Sequence, residues 1–535
     1  MRNRLRAFRP RLWMVSWVLL AVLAMLILLP LANMFLQMNG KNIADVLGRK
    51  DLTQALGNSM VASLLTTVIS LIVAYCLAWT MERTCIPGKK LLRVLIVMPM
   101  LIPSVSIGMG VVLLGGNNGL LTNLLGIQGG GIYGLSGIVW GSVMYSLPPA
   151  FVMMENVLRY EDSAPYEAAA VLGIPRWRQF TGITLPYLKK PLITMAFSVF
   201  TLSFTDYGVP LMVGGKFKTL PMVMYQKVIG QLKFGEGCVY GAILLIPAVI
   251  SFVLDMANRN SGGSANRRLF AITPDRRRDI PALIGTAVCA LAGILPILSF
   301  VILAFVGGYH SGASFSFRNF SSAFSMGGGN YLLNSVLIAA MASAAGVCLC
   351  VLTAYFTART PMKAGRYLHL IAMSTGAVPG VVLGLAYVLL FRNSFLYGTV
   401  LILVMVNIVH FFASPYLMIY TSFSKLSENL ESVAATLKIS RLRLLTGVIL
   451  PQCADTIKEM VSYFFVNCMM TISAVSFLAN TGNKPIALMI NQFEAQSQMG
   501  AAAVVSLLIL VVNLIVKTWM TPRTAGAGAA EHHEK

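Results

Sequence analysis

Stretches of twenty or more mostly apolar residues follow one another along the whole of this sequence. A chain with that pattern can satisfy its backbone polar groups only as helices crossing a bilayer. About twelve such stretches are legible by length and hydropathy. They cover 12–36, 58–83, 91–114, 132–158, 188–213, 239–257, 281–306, 334–359, 367–391, 396–423, 457–478 and 501–520. With 57% hydrophobic and only 11% charged residues among 535, too little polar surface exists to cover a soluble globule of this size. The expected class is an all-α membrane protein.

The net charge of +22 would suit a nucleic-acid binder, but its placement argues for orientation in a membrane. Arg2, Arg4, Arg6, Arg9 and Arg11 precede the first stretch, and Arg83, Lys89, Lys90 and Arg93 follow the second. Later groups are Arg176 to Lys190, Arg267 to Arg278, Arg359 to Arg366 and Lys425 to Arg443. These fall in alternate loops, so both termini are expected on the cytoplasmic side. The opposite loops are poor in charge except 214–237, which holds Lys216, Lys218, Lys227 and Lys233. The first apolar run is about twice the length of a signal-peptide core and is read as a retained span.

The chain divides into 1–257, a basic polar linker at 258–280, 281–522 and a polar tail at 523–535. Asn58-Ser59 opens a span carrying Ala74-Tyr75 and Ala78, and Asn334-Ser335 opens one carrying Ala354-Tyr355 and Ala358. The two separations differ by about one helical turn, which an insertion would explain. Both spans end on an Arg-Thr pair, Arg83-Thr84 and Arg359-Thr360. Six crossings per half with a common starting side make the halves parallel repeats about an axis along the membrane normal, with a translocation path on that axis.

Two polar loops repeat as well: 166–186, YEAAAVLGIPRWRQFTGITLP, and 431–451, ESVAATLKISRLRLLTGVILP. Glu167, Ala168 and Ala169 favour a helix that Gly173 can end in the left-handed conformation. A second short helix then carries Arg176 and Arg178, and the loop closes at Pro186. In the copy, Ser440 is a good N-cap, Arg441 and Arg443 repeat the basic pair, and Pro451 closes the loop.

The pattern Glu167-Ala168-Ala169, Gly173, Ile183, Leu185, Pro186 resembles the cytoplasmic loop of the membrane subunits of type I ABC importers. The resemblance implies a coupling helix that docks into a cleft of an ATPase subunit, with Glu167, Ala168, Ala169, Gly173, Arg176, Arg178 and Pro186 in that role. In the second copy Glu431, Ala434, Ala435, Arg441, Arg443 and Pro451 are the matching candidates. Ser432 stands at the glutamate position and Lys438 at the glycine, which leaves open whether Glu431 serves as the motif glutamate. The fused arrangement and the segment SFTDYGVPLMVGG at 203–215 are similar to permeases of iron(III), 2-aminoethylphosphonate and polyamine importers. The implied partners are two ABC ATPase subunits, a periplasmic solute-binding protein and the lipid bilayer, in the bacterial inner membrane.

Asp206, an ionisable group near a span end, is the candidate for contact with an amino-bearing or cationic solute, with capping of a helix end as the plainer alternative. Tyr207, Pro103 and Pro379 join it as candidates for the solute path, because proline frees carbonyls that need other partners. Pro99, Pro148, Pro149 and Pro210 are further breakers. His369, Asn407 and His410 are expected to bond between helices. The eight cysteines show no Cys-x-x-Cys spacing and are expected as buried small hydrophobes. No phosphate loop, catalytic triad or metal-ligand cluster is present in the sequence, so no catalytic or metal residue is named. No cofactor is expected on this chain, and ATP and Mg²⁺ would belong to the partner ATPase. The rival reading is an ion-coupled secondary transporter with six-plus-six helices.

Overall fold

The computed structural model describes residues 9–117, 119, 122, 131–258, 268, 270–307, 314–360 and 362–520. Most of the outer loop 117–131, the linker at 259–267 with Arg267, the tail 523–535, Arg2 to Arg6 and the side chains of Arg9 and Arg11 lie outside the described residues. The architecture is helical, apart from a two-residue antiparallel pair, Val306–Gly307 with Ser314–Phe315.

Among the described residues, seven helices are long and apolar enough to cross a membrane, and three bent pairs bring the number to ten if each is one span. The seven are Trp13–Leu36, Lys50–Arg83, Leu135–Arg159, Phe234–Ala257, Arg276–Phe305, Gly328–Ala358 and Met499–Met520. Two further stretches expected as spans, Leu185–Thr205 and Ala454–Met470, fall outside that set. The first carries Lys189 and Lys190, and the second has only 17 residues.

Three of the expected spans are broken. Lys89–Leu101 meets Ser104–Gly115 at 108°, and Lys363–Ala377 meets Gly380–Phe391 at 109°. The cause is the same in both: Ile102 and Val378 are extended before Pro103 and Pro379, because proline disfavours a helical residue ahead of it. Val400–His410 and Ala413–Lys425 bend by 55°. By contrast Pro148 and Pro149 sit inside the continuous helix Leu135–Arg159.

Side chains reproduce the internal repeat. Asn58 donates to the Lys218 carbonyl at 3.0 Å and Asn334 to that of Gly482 at 3.1 Å. Ser59 accepts from the Leu220 amide at 2.8 Å, and Ser335 from the Ile486 amide at 2.7 Å. The same 25 residues separate Asn58 from Arg83 and Asn334 from Arg359, and both helices run unbroken between them. The expected insertion is therefore absent: the two Ala-Tyr motifs stand one turn apart on equivalent helices. Short helices Gly40–Leu47 and Arg318–Ser325, which the sequence reading passed over, bring Asn42 against Gly235 and Asn319 against Gly500.

The halves exchange their first helices. Arg9–Leu36 packs on the bent pair of the second half, where the Tyr387 hydroxyl donates to the Leu26 carbonyl at 2.9 Å. Arg276–Phe305 packs on the bent pair of the first half, with the Ser299 hydroxyl 3.3 Å from the Gly110 carbonyl. Asn513 donates to the Leu101 carbonyl at 2.9 Å, and Ser106 meets Ser506 at 2.8 Å.

Four cysteines are buried as expected: Cys238, Cys350, Cys453 and Cys468. Cys289 is half-buried, and Cys76, Cys85 and Cys348 are exposed. A thiol on a span need not face inward, since lipid is as apolar as the protein core.

Candidate functional site: two equivalent loops and the helix breaks between the halves

Each repeated loop is built from two short helices and a wide turn. The first comprises Ala164–Val171, Arg176–Gln179 and a π-helical turn Phe180–Thr184 leading into Leu185-Pro186. The second comprises Leu430–Thr436, Arg441–Leu444 and the π-helical turn Leu445–Ile449 leading into Leu450-Pro451. Proline lacks the amide for the usual helical bond and crowds the carbonyl four residues back; widening to a π turn accommodates both.

The hinge between the short helices is left-handed in both copies. Gly173 has φ 67° and Lys438 has φ 57°. The Ile174 amide donates to the Ala169 carbonyl at 2.9 Å and the Ile439 amide to the Ala434 carbonyl at 2.8 Å, which is the Schellman closure of a helix end. Ser440 caps the next helix by accepting from the Arg443 amide at 3.3 Å.

Ala169 and Ala434 are the buried, inward faces of their helices. Glu167, Ala168, Ala435, Pro186, Pro451, Arg176, Arg178, Arg441 and Arg443 are exposed. So are several large apolar side chains: Val171 and Leu172 are 88% and 75% exposed, Trp177 is 65%, and in the copy Leu437 and Leu442 are 64% and 71%. Leu172 and Leu437 hold equivalent positions in the two copies.

The structure separates Glu431 from Glu167. The Glu167 side chain is 59% exposed, accepts from the Ser163 hydroxyl at 2.7 Å and lies 3.8 Å from Arg268. Glu431 makes two bonds of 2.7 and 2.6 Å to Arg359, whose side chain is 3% exposed. Arg359 also donates to the carbonyls of Leu426 at 2.9 Å and Ser427 at 2.8 Å. In the first half the equivalent Arg83 bonds Glu161 at 2.7 Å and the Leu158 carbonyl at 2.8 Å. Tyr166, at the position of Glu431, bonds both Glu161 and the Thr184 hydroxyl. Burial, then the bond to Glu161, pushes the Tyr166 phenol above its usual range, so it stays a neutral donor. Sequence reasoning noted the two Arg-Thr pairs without assigning them a role. Their repetition was the signal, and each arginine ties its loop to the long helix that precedes it.

The second constellation lies where the halves meet. Asp206 accepts from the Ser104 hydroxyl at 2.7 Å and from the amides of Val209 at 3.0 Å and Gly208 at 3.2 Å, so it caps the short helix Gly208–Val213. Tyr207 is buried, stacks on Tyr225 at 4.7 Å and bonds Ser476 of the second half at 2.8 Å. A Cβ added to Gly208 would stand 3.2 Å from Ile472, so the helix breaks after Thr205 and after Met470 face each other. Pro103 and Pro379 are buried at their own breaks.

Of the histidine and asparagine candidates, His369 reaches Tyr416 on another helix at 2.6 Å. Asn407 does not bond between helices: its amide donates to the Leu403 carbonyl one turn back, at 2.9 Å. His410 Nδ1 finds no partner among the described residues. In the unexpectedly basic loop 214–237, Arg49, Lys227 and Lys233 converge on Glu236, which offsets part of its charge. The bond to Glu236 raises the Arg49 guanidinium above its usual range. Among the described residues no group of three or more His, Cys, Asp or Glu could hold a metal ion.

Residues 86–262 match the profile of the family described as binding-protein-dependent transport system inner membrane component. The chain is similar to the ferric transport system permease protein FbpB of Actinobacillus pleuropneumoniae, at 23% identity over 89% of this chain and 72% of that protein. It is also similar to the putative ferric transport system permease protein FbpB 1 of Haemophilus influenzae, at 24% identity over 83% of this chain and 73% of that protein. A sulfate transport system permease protein CysW of Synechocystis matches at 25% identity, covering 46% of this chain and 95% of its own length. With the duplicated loops, these matches displace the secondary-transporter reading: residues 86–262 carry the profile of a binding-protein-dependent transport inner membrane permease, and most of the chain is similar to transport-system permease proteins.

Proposed function

We propose that this chain alone supplies the whole transmembrane path of a type I ABC importer, as twelve crossings in two parallel six-helix halves with both termini cytoplasmic. The matched profile implies an ATPase and a solute-binding protein as partners. On this reading 1–257 and 281–522 are the halves and 258–280 is the cytoplasmic linker. Two ATPase subunits dock on the loops 166–186 and 431–451. Closure of the ATPases on ATP swings the loops, and the path opens outward to the binding protein and then inward.

The observation that carries the proposal is the pair of loops presenting Leu172 and Leu437 to solvent at equivalent places. A stable surface loop has no use for so many exposed large apolar residues unless a partner covers them. Among the coupling residues, Glu167, Ala168, Gly173, Arg176, Arg178 and Pro186 of the first loop, and Ala435, Arg441, Arg443 and Pro451 of the second, form or support this face. Ala169, Ala434 and Glu431 secure the loops from behind. A photoreactive p-benzoylphenylalanine at Leu172 or Leu437, in membranes containing the co-expressed ATPase, should capture that ATPase. Absence of capture at both positions would overturn the docking role.

For the cargo we propose iron(III), with 2-aminoethylphosphonate as the competitor. The names of the two FbpB relatives support iron(III). The path would run between the opposed breaks, past Tyr207, with Asp206, Pro103 and Pro379 holding the broken helices open to one another. Calorimetry of the partner binding protein against ferric iron, aminoethylphosphonate and spermidine should give tight binding to ferric iron. Tight binding to either of the others reassigns the cargo.

A further inference from the structure

The described end of the segment that joins the halves, Arg268 and residues 270–275, folds back onto the first loop. The Ser163 amide donates to the Arg268 carbonyl at 3.0 Å, and the Arg268 amide donates to the Asp162 carboxylate at 3.2 Å. Two residues on, the Phe270 ring lies 5.2 Å from the Tyr166 ring, with the Arg83 guanidinium 3.6 Å over its face. The Ile272 carbonyl then accepts from the Cys85 thiol at 3.7 Å, and the Thr273 carbonyl accepts from Arg278 at 2.7 Å. Arg278 already belongs to the helix Arg276–Phe305, the first of the second half.

Phe270 therefore touches both groups that fix the first loop to its helix. Tyr166 holds the start of the loop through Glu161 and its end through Thr184, and Arg83 holds Glu161 to the helix Lys50–Arg83. The second loop solves the same problem differently. At the position of Tyr166 it has Glu431, which takes Arg359 directly.

We propose that Phe270 is a positioning residue for the first loop, so that the presentation of that loop is set by the leading segment of the second half. Among the described residues, the bonds that fix the second loop come from its own half. A stacked aromatic under a guanidinium is a stiff, directional contact. Through it, displacement of the helix Arg276–Phe305 reaches the first loop and not the second. The two handles are then unequal, although the sequence makes them copies.

This inference rests on the reading of the loops as docking handles, and the test separates the two. Full-length chain carrying p-benzoylphenylalanine at Leu172 or Leu437 is co-expressed with the ATPase, with Phe270 intact, as Phe270→Ala and as Phe270→Tyr. The expected result is about a fivefold fall in ATPase capture at Leu172 in Phe270→Ala, the scale of one lost cation–π contact. Capture at Leu437 stays unchanged, and Phe270→Tyr restores capture at Leu172. Unchanged capture at Leu172, or an equal fall at both positions, overturns the role of Phe270 while leaving the docking reading standing. No capture at either position with Phe270 intact overturns the docking reading and this inference with it.

Discussion

Arg83 and Arg359 end equivalent helices, yet each finds its carboxylate at a different point in the chain. A guanidinium taken out of water must be paired, and the pairing residue is free to move as long as the geometry closes. Glu161 serves in one half and Glu431 in the other. Removing Glu431 by Glu431→Ala leaves Arg359 buried with only carbonyl partners and should cost about 2 kcal/mol, read as a lower thermal midpoint of the purified chain. Exposed Glu167 predicts the opposite profile: Glu167→Lys should leave the midpoint unchanged and abolish ATP hydrolysis stimulated by the binding protein. Gly173→Pro should also abolish that stimulated hydrolysis, but with a lowered midpoint, because proline cannot take φ 67°. Lys438 is a lysine in a conformation that suits glycine, so Lys438→Gly should stabilise the second loop by about 1 kcal/mol.

At the scale of elements, the broken helices depend on close backbone approach. The segment after each proline break carries a glycine at an equivalent position, Gly108 and Gly384, against the short stretch that follows the opposing helix break. A Cβ at Gly108 would stand 2.8 Å from the Met212 side chain, and one at Gly384 would stand 2.6 Å from the Ala474 carbonyl. The methionine atom is its Cβ, which moves only with the backbone, so neither neighbour can give way. Gly384→Ala and Gly108→Ala should therefore each cost about 2 kcal/mol, while Gly57→Ala, with open space beside it, should cost nothing. Thermal unfolding of the three variants in detergent checks the order. The prolines and their spacing were legible in the sequence as breakers. The bend of more than 100° was not, because it depends on what the second limb packs against.

Across the whole molecule, the exchanged first helices tie the halves together more firmly than the linker does. Arg9–Leu36 lies on the second half and Arg276–Phe305 on the first. Two chains cut within 259–267 and co-expressed should therefore assemble and co-purify through detergent extraction. Recovery of each half alone would contradict the packing described. Such a pair would keep Phe270 on the second piece, so the first loop would still be held.

Hydropathy and the repeated loop motif fix by local chemistry that this is a helical membrane protein with two similar polar loops. Each of those signals lies within one stretch of chain. The left-handed hinge at Gly173 is equally local, since an αL residue ends a helix wherever it stands. Only the folded chain decides that Lys438 adopts the same hinge, that Glu431 is consumed by Arg359, and that Asp206 caps a helix with its carboxylate. The last two outcomes depend on which groups distant segments bring within hydrogen-bond reach, where a buried charge has no water to turn to instead. That choice is made by packing within each half, and no single stretch of sequence contains it.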